Sequence, residues 1–127
     1  MLSDFAARKK YRDGLDNLAY LPYVTTPFSF GALTVGTLST AFILPANGYF
    51  GVSCSEATDT DDYSVFINGF EHSQSANLED VINSLGFLYK PYSIQLKAKS
   101  GLPASTIGLY HYDYWNRPML VASGTLS

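Results

Sequence analysis

From Phe28 onward the chain alternates apolar and polar positions with a period of two, the signature of strands with one buried face. Phe28, Phe30 and Ala32 open the pattern, and the runs Leu38–Leu44, Tyr49–Ser55, Tyr63–Ile67 and Phe70–Gln74 continue it. Phe87–Tyr89, Tyr92–Lys99, Thr106–Trp115 and Pro118–Ala122 complete the set. In Tyr92–Lys99, Ile94, Leu96 and Ala98 point one way, while Gln95, Lys97 and Lys99 point the other. Asn68-Gly69 between two strand-like runs predicts a hairpin, because both residues reach positive φ at little cost. Pro45-Ala46-Asn47-Gly48 predicts a second tight reversal. Short strands at this spacing predict an all-β, antiparallel β-sandwich or barrel, with the jelly roll as the preferred topology.

Two segments depart from period two. Leu78, Val81, Ile82 and Leu85 fall at helical spacing, with Asn77 as cap and Glu79 and Asp80 in the first turn, so 77–85 reads as a short helix; a loop crossing between sheets is the rival. Ser3–Leu18 reads as a short N-terminal helix capped by Ser3, with Asp4 in its first turn. Its apolar stripe is broken: Leu2, Phe5 and Ala6 share one face, Tyr11, Leu15 and Leu18 another, and Gly14 weakens the middle. Such a helix needs a surface to dock on. Leu21-Pro22 and Thr26-Pro27 make an extended connector. The organisation expected is therefore an arm and connector over 1–27 and a sandwich over 28–127, with a loose or separately docked tail from Ser123.

Of the 127 residues, 46% are hydrophobic and only 15% charged, which excludes intrinsic disorder for the body of the chain. Ten Tyr, eight Phe and one Trp suit pleated sheets. The net charge of −3 excludes a nucleic-acid footprint, which needs a dense basic face. Basic residues concentrate at Arg8, Lys9, Lys10 and Arg12, so residues 1–20 carry a net +1 and the remainder a net −4. The single Cys54 allows neither an internal disulfide nor a Cys-based zinc site, and reads as a small buried hydrophobe in a strand. No run approaches the ~18 apolar residues of a membrane helix. No secretory pattern opens the chain, so synthesis in a cytoplasm without export by that route is expected.

The stretch Phe42–Val52, with its apolar strand, Pro-x-x-Gly turn and aromatic strand, resembles the opening of jelly-roll domains in bacteriophage fibre and virion-surface proteins. Tyr63–Phe70, with its Ile-Asn-Gly hairpin, and Tyr92–Gly101, a strand running into a Gly turn, are similar to later parts of the same domains. The resemblance covers about residues 38–115. It implies a structural or adhesive subunit on a phage particle, made in the host cytoplasm and assembled as a homo-oligomer, with a trimer preferred. Such fibre proteins carry a long shaft; the short arm here favours a capsid decoration or head-fibre type. Phe5, Arg8, Lys9, Lys10, Tyr11, Arg12, Leu15 and Leu18 would then dock onto other virion proteins.

Few residues invite chemistry. Asp59, Asp61 and Asp62 lie within four positions, but the turn glycine and distal glutamate of a calcium loop are missing, so no metal is expected. His72 and His111 are the only histidines. Ser64, Ser73, Cys54 and Asp113 do not fall into a nucleophile-elbow pattern, and Glu56, Glu71 and Asp113 would make a carboxylate pair only by coincidence of folding. Neither an enzyme nor a cofactor is expected. The stretch Tyr110–Trp115 is the most informative. Tyr110, Tyr112 and Tyr114 share one face, while His111, Asp113 and Trp115 share the other and follow Ile107 and Leu109 toward the core, with Trp115 closing its end. The tyrosine row has three readings: packing within the molecule, an interface between subunits, or a platform stacking on host-surface glycans. The interface, with Trp115 included, is the reading taken forward, and the glycan-binding adhesin is its alternative.

Overall fold

The computed structural model describes residues 26–56, 62–72 and 81–127. The expected N-terminal helix with its docking residues, Asp59 and Asp61, and Asn77–Asp80 lie outside the described residues. Nine strands follow one another: β1 (Phe28–Ala32), β2 (Phe42–Ile43), β3 (Gly48–Cys54), β4 (Tyr63–Ile67), β5 (Phe70–His72), β6 (Asn83–Leu88), β7 (Ser93–Ala98), β8 (Ser105–Tyr112) and β9 (Pro118–Leu126). There is no helix among the described residues. The strands form a five-stranded sheet in the order β1-β9-β8-β3-β6 and a four-stranded sheet in the order β2-β7-β4-β5. All pairs are antiparallel except β1 with β9, which is parallel.

The two sheets share one core, so the fold is a β-sandwich. Phe50, Val52, Ile107, Leu109 and Val121 come from the larger sheet, and Tyr63, Val65, Ile94 and Leu96 from the smaller. Alternation places them there: in β7 the inward set Ile94, Leu96 and Ala98 is buried, while Gln95 and Lys97 are half-buried. Cys54 is buried in β3, and its thiol donates weakly to the Ser105 hydroxyl at 3.5 Å. The core also contains the Tyr63 phenol. Burial first, and Cys54 second, raise its pKa far above the ordinary value, against a side-chain hydrogen bond with Asn83 that favours ionisation. That Tyr63–Asn83 pair joins the smaller sheet to the larger.

The Asn68-Gly69 hairpin stands as expected, with φ of 54° and 83° at the two residues. Four expectations need correction. Residues 83–85 belong to strand β6, not to a helix. Gly86 at φ 82° sits beside an irregularity in the pairing with β3, which leaves Leu85 and Leu88, three positions apart, both buried. The strand expected over 38–44 shrinks to Phe42-Ile43, because the Ser39 hydroxyl accepts from the Leu96 amide and displaces a ladder bond. Pro45-Ala46-Asn47 is a corner that carries the chain from one sheet to the other, not a reversal within a sheet. The tail from Ser123 is neither loose nor docked elsewhere: it is the second half of β9, wedged between β8 and β1, with Gly124 and Leu126 buried.

Candidate functional site

Antiparallel pairing brings three chain connections to one end of the larger sheet. The start of β3, the end of β6 and the end of β8 meet there, since Tyr49 pairs with Phe87 and Phe50 with His111. Alternation then decides which side chains face out. Tyr49 and Phe87 lie opposite one another on the outer face, with ring centroids 5.0 Å apart at 84°. Phe87 continues to Tyr89 at 5.0 Å, and Tyr89 to Tyr92 at 5.8 Å. Each contact is edge-to-face, the arrangement that the ring quadrupoles favour. Tyr49 is 54% exposed and Tyr89 51%, so the row presents ring surface to solvent. One register step beyond His111, Tyr112 reaches the same outer face on β8.

The loop carrying Tyr89 is held in place. The Lys90 amide donates to the Asn47 side-chain oxygen at 2.8 Å, and the Tyr92 amide to the Tyr89 carbonyl at 2.9 Å. The Lys90–Pro91 peptide bond is cis.

The expected strand through Trp115 ends at Tyr112, and residues 113–117 form a turn built around one carboxylate. Asp113 accepts from the backbone amides of Trp115 at 2.8 Å and Arg117 at 2.9 Å, and from the Arg117 guanidinium at 2.9 Å. Burial alone would raise the Asp113 pKa. The Arg117 amide and guanidinium, the Trp115 amide and the Arg117 charge together outweigh it and hold the carboxyl below its ordinary value. Asn116 at φ 61° completes the turn. Contrary to the expectation from its parity, Trp115 does not close the core. Leaving the strand at Asp113 frees it from alternation, and it stands 64% exposed against Tyr114, with centroids 4.7 Å apart at 85°.

Tyr110 and Tyr112 face outward as their alternation requires, but both are half-buried because they lie along the sheet. Tyr110 covers Gly108, where a Cβ would meet its ring at 3.1 Å, and Tyr112 covers Gly51 at 3.3 Å. Much of their ring area is therefore spent on the molecule's own glycines. The exposed aromatics at this end of the larger sheet are Tyr49, Tyr89 and Trp115, the first two of them outside the expected site; Phe70 of β5, 78% exposed, and Phe28 of β1 are exposed elsewhere. The signal for Tyr49 and Tyr89 was present as matched parity in Tyr49–Ser55 and Phe87–Tyr89, but it becomes a row only once β3 and β6 are known to be neighbours.

The polar candidates do not converge. His111 lies in the core of the larger sheet, whereas His72 lies on β5, at the edge of the smaller. Glu71 accepts from the Ser64 hydroxyl at 2.9 Å and stands 3.7 Å from Lys99. Among the described residues, no three of His, Cys, Asp and Glu are grouped as metal ligands would be. No family model, curated protein or solved structure matches the chain.

Proposed function

We propose that this chain is a structural subunit of a bacteriophage particle, a jelly-roll domain that joins like subunits through the aromatic outer face of its larger sheet. The observation that carries the association is the ring-to-ring row Tyr49, Phe87, Tyr89, of which Tyr49 and Tyr89 are exposed. Contiguous exposed aromatic surface of this kind marks a contact site. The jelly-roll reading is supported by the pairing: a jelly roll winds up a long hairpin whose strands pair first with last. Here β2 pairs with β7, β3 with β6 and β4 with β5, and β9 is inserted between β1 and β8, the pair that would complete the scheme. The phage assignment rests on the resemblance of Phe42–Val52, Tyr63–Phe70 and Tyr92–Gly101 to virion-surface domains. In this reading the segment with Phe5, Arg8, Lys9, Lys10, Tyr11, Arg12, Leu15 and Leu18 docks on other virion proteins, and closed trimeric symmetry is preferred. Binding, not turnover, is the proposed mode of action.

Sedimentation of the full chain tests the association. The wild type is expected as an oligomer and the Tyr49→Ser, Tyr89→Ser double variant as a folded monomer. A monomeric wild type at 100-fold excess over ordinary subunit concentrations, or an oligomer indifferent to both substitutions, overturns it. The second reading, a host-glycan adhesin, is favoured by the Tyr114–Trp115 pair, whose rigid turn offers rings to solvent as sugar-stacking platforms do. A glycan array probed with wild type and Trp115→Ala separates the two, because loss of Trp115 abolishes sugar binding while leaving association through Tyr49 and Tyr89 intact.

A further inference from the structure

His111 is fully buried, at 0% exposure, and neither ring nitrogen has a hydrogen-bond partner among the described residues. A buried polar group without a partner is rare in a native core and calls for an explanation. Its surroundings leave little room to acquire one. Phe50 of β3 lies against the ring with centroids 4.9 Å apart. Gly48 approaches so closely that a Cβ there would overlap Nε2. Met119 stands opposite in β9. The Asn47 carbonyl is near enough to favour a proton on the ring but does not accept a hydrogen bond of good geometry. Asp113, two residues on, is the charged group acting on the ring from the elements around it, and its carboxylate is already engaged by Arg117 and two backbone amides.

We propose that His111 is a proton-operated latch: taking up a proton opens the end of the larger sheet where β3 meets β8, and so unseats both the aromatic row and the turn that carries Trp115. The neutral ring packs as an apolar plate among Phe50, Gly48 and Met119. An imidazolium in the same place would carry two donors and a charge with nothing to receive them, and the way to hydrate it is to part β3 from β8. Burial is the dominant influence on the ring and lowers its proton affinity, against the smaller opposing pulls of the Asn47 carbonyl and Asp113. The parting strands bear Tyr49 and Tyr112 on their outer side, so proton uptake inside is coupled to the shape of the face outside, whichever partner that face meets. Acid would release the partner, and neutral pH would restore the seat.

The signs are fixed by linkage. The unfolded or opened segment takes up a proton below about pH 6.5 and the closed segment only at lower pH, so opening grows more favourable as pH falls between the two, by up to tenfold per pH unit. Asp113 acts in a lower window, below the ordinary value of 3.8, so the interval from pH 6.5 to 4.5 lies above it. Amide hydrogen exchange of the full chain, corrected for intrinsic rates, reads the opening constants directly. In the wild type and in the His72→Gln control, amides around Gly48–Phe50 and Tyr110–Tyr112 are expected to open more as pH falls, by up to about tenfold for each pH unit lost. Those at the far end of the same pair, around Cys54 and Ile107, change less. In His111→Leu the near-end opening is flat with pH. The fluorescence of Trp115, the single tryptophan, is expected to change over the same interval in wild type and not in the variant. Equal pH response at both ends, or the same profile in His111→Leu, overturns the latch. Should His111→Leu fail to fold, the imidazole resonances of the wild type decide. A ring that titrates at its ordinary value with no change in near-end exchange overturns the proposal, and one that stays neutral until the near end opens supports it.

Discussion

At the scale of single residues, the end of the larger sheet is governed by two fits. Gly48 and His111 occupy adjoining space with none to spare, and Gly48 is required for close approach: its φ is not positive, so the limit is steric and not conformational. Gly48→Ala is expected to destabilise the fold by about 1–3 kcal/mol, the range for overpacked cores. His111→Ala opens space for the added methyl, so the double variant should recover part of that loss, and a thermal-melt double-mutant cycle measures the coupling. Additive losses would show that the two residues do not constrain one another. The second fit is Asp113 with its turn. Asp113→Ala strands the amides of Trp115 and Arg117 and is expected to lose about 1–3 kcal/mol. A carboxyl held below its ordinary value stabilises the fold fully above that value and loses the contribution as pH falls through the folded-state value. The difference between wild type and Asp113→Ala in melting temperature should accordingly be largest at neutral pH and shrink below pH 3.8.

Among the elements, legibility followed local chemistry. The β4–β5 hairpin was readable because Asn68-Gly69 specifies its own turn, and β7 because Ile94, Leu96 and Ala98 alternate without interruption. The elements that misled owe their form to partners far away in sequence. Ser39 keeps its amide on the Leu96 carbonyl but accepts from the Leu96 amide with its hydroxyl instead of its carbonyl, and nothing near Ser39 announces that neighbour. Gly86 sets an irregularity that only the pairing with β3 reveals. The polar-looking residues 123–126 are small because β9 is enclosed: Gly124 has Phe30 and Leu33 of the β1 region within 3.1 Å of where a Cβ would stand. The same holds for the site. Outward-facing tyrosines on β8 were legible, whereas Tyr49 and Tyr89 needed the order β8-β3-β6. A truncation after Ala122 removes the part of β9 that pairs with Ser29–Ala32, together with the buried Leu126. It is expected to abolish the cooperative melt, while Gly69→Ala, at φ 83° with open space around it, should lose only about 1–2 kcal/mol. A truncated chain that melts as the wild type does would mean that β9 adds little to the core.

For the whole molecule, the two outer faces differ, and under the proposed association the difference predicts which face carries it. The smaller sheet turns Ser64, Gln95, Lys97 and Glu71 outward around the half-buried Phe66, with Lys99 and Glu71 paired across it and Ile43 and Phe70 exposed on its edge strands. The larger sheet turns out Tyr49, Phe87, Tyr110 and Tyr112. Exposed ion pairs add little to binding and are screened within about 10 Å at 0.1 M salt. Buried aromatics, by contrast, act as anchors worth about 2 kcal/mol or more each. Association through the larger sheet should therefore be nearly indifferent to salt, and its dissociation constant is expected to change less than about threefold between 0.05 and 0.5 M sodium chloride, since no counterions are released. A single charge placed in the row should do what salt cannot: Tyr49→Lys buries an ammonium against Phe87 in the complex and is expected to weaken association by at least about 30-fold. Gln95→Lys, on the opposite face, should leave it unchanged. Sedimentation equilibrium of the three proteins across the salt range distinguishes the faces. A steep salt dependence, or an effect of Gln95→Lys larger than that of Tyr49→Lys, would move the contact to the polar sheet and leave the aromatic row for another partner.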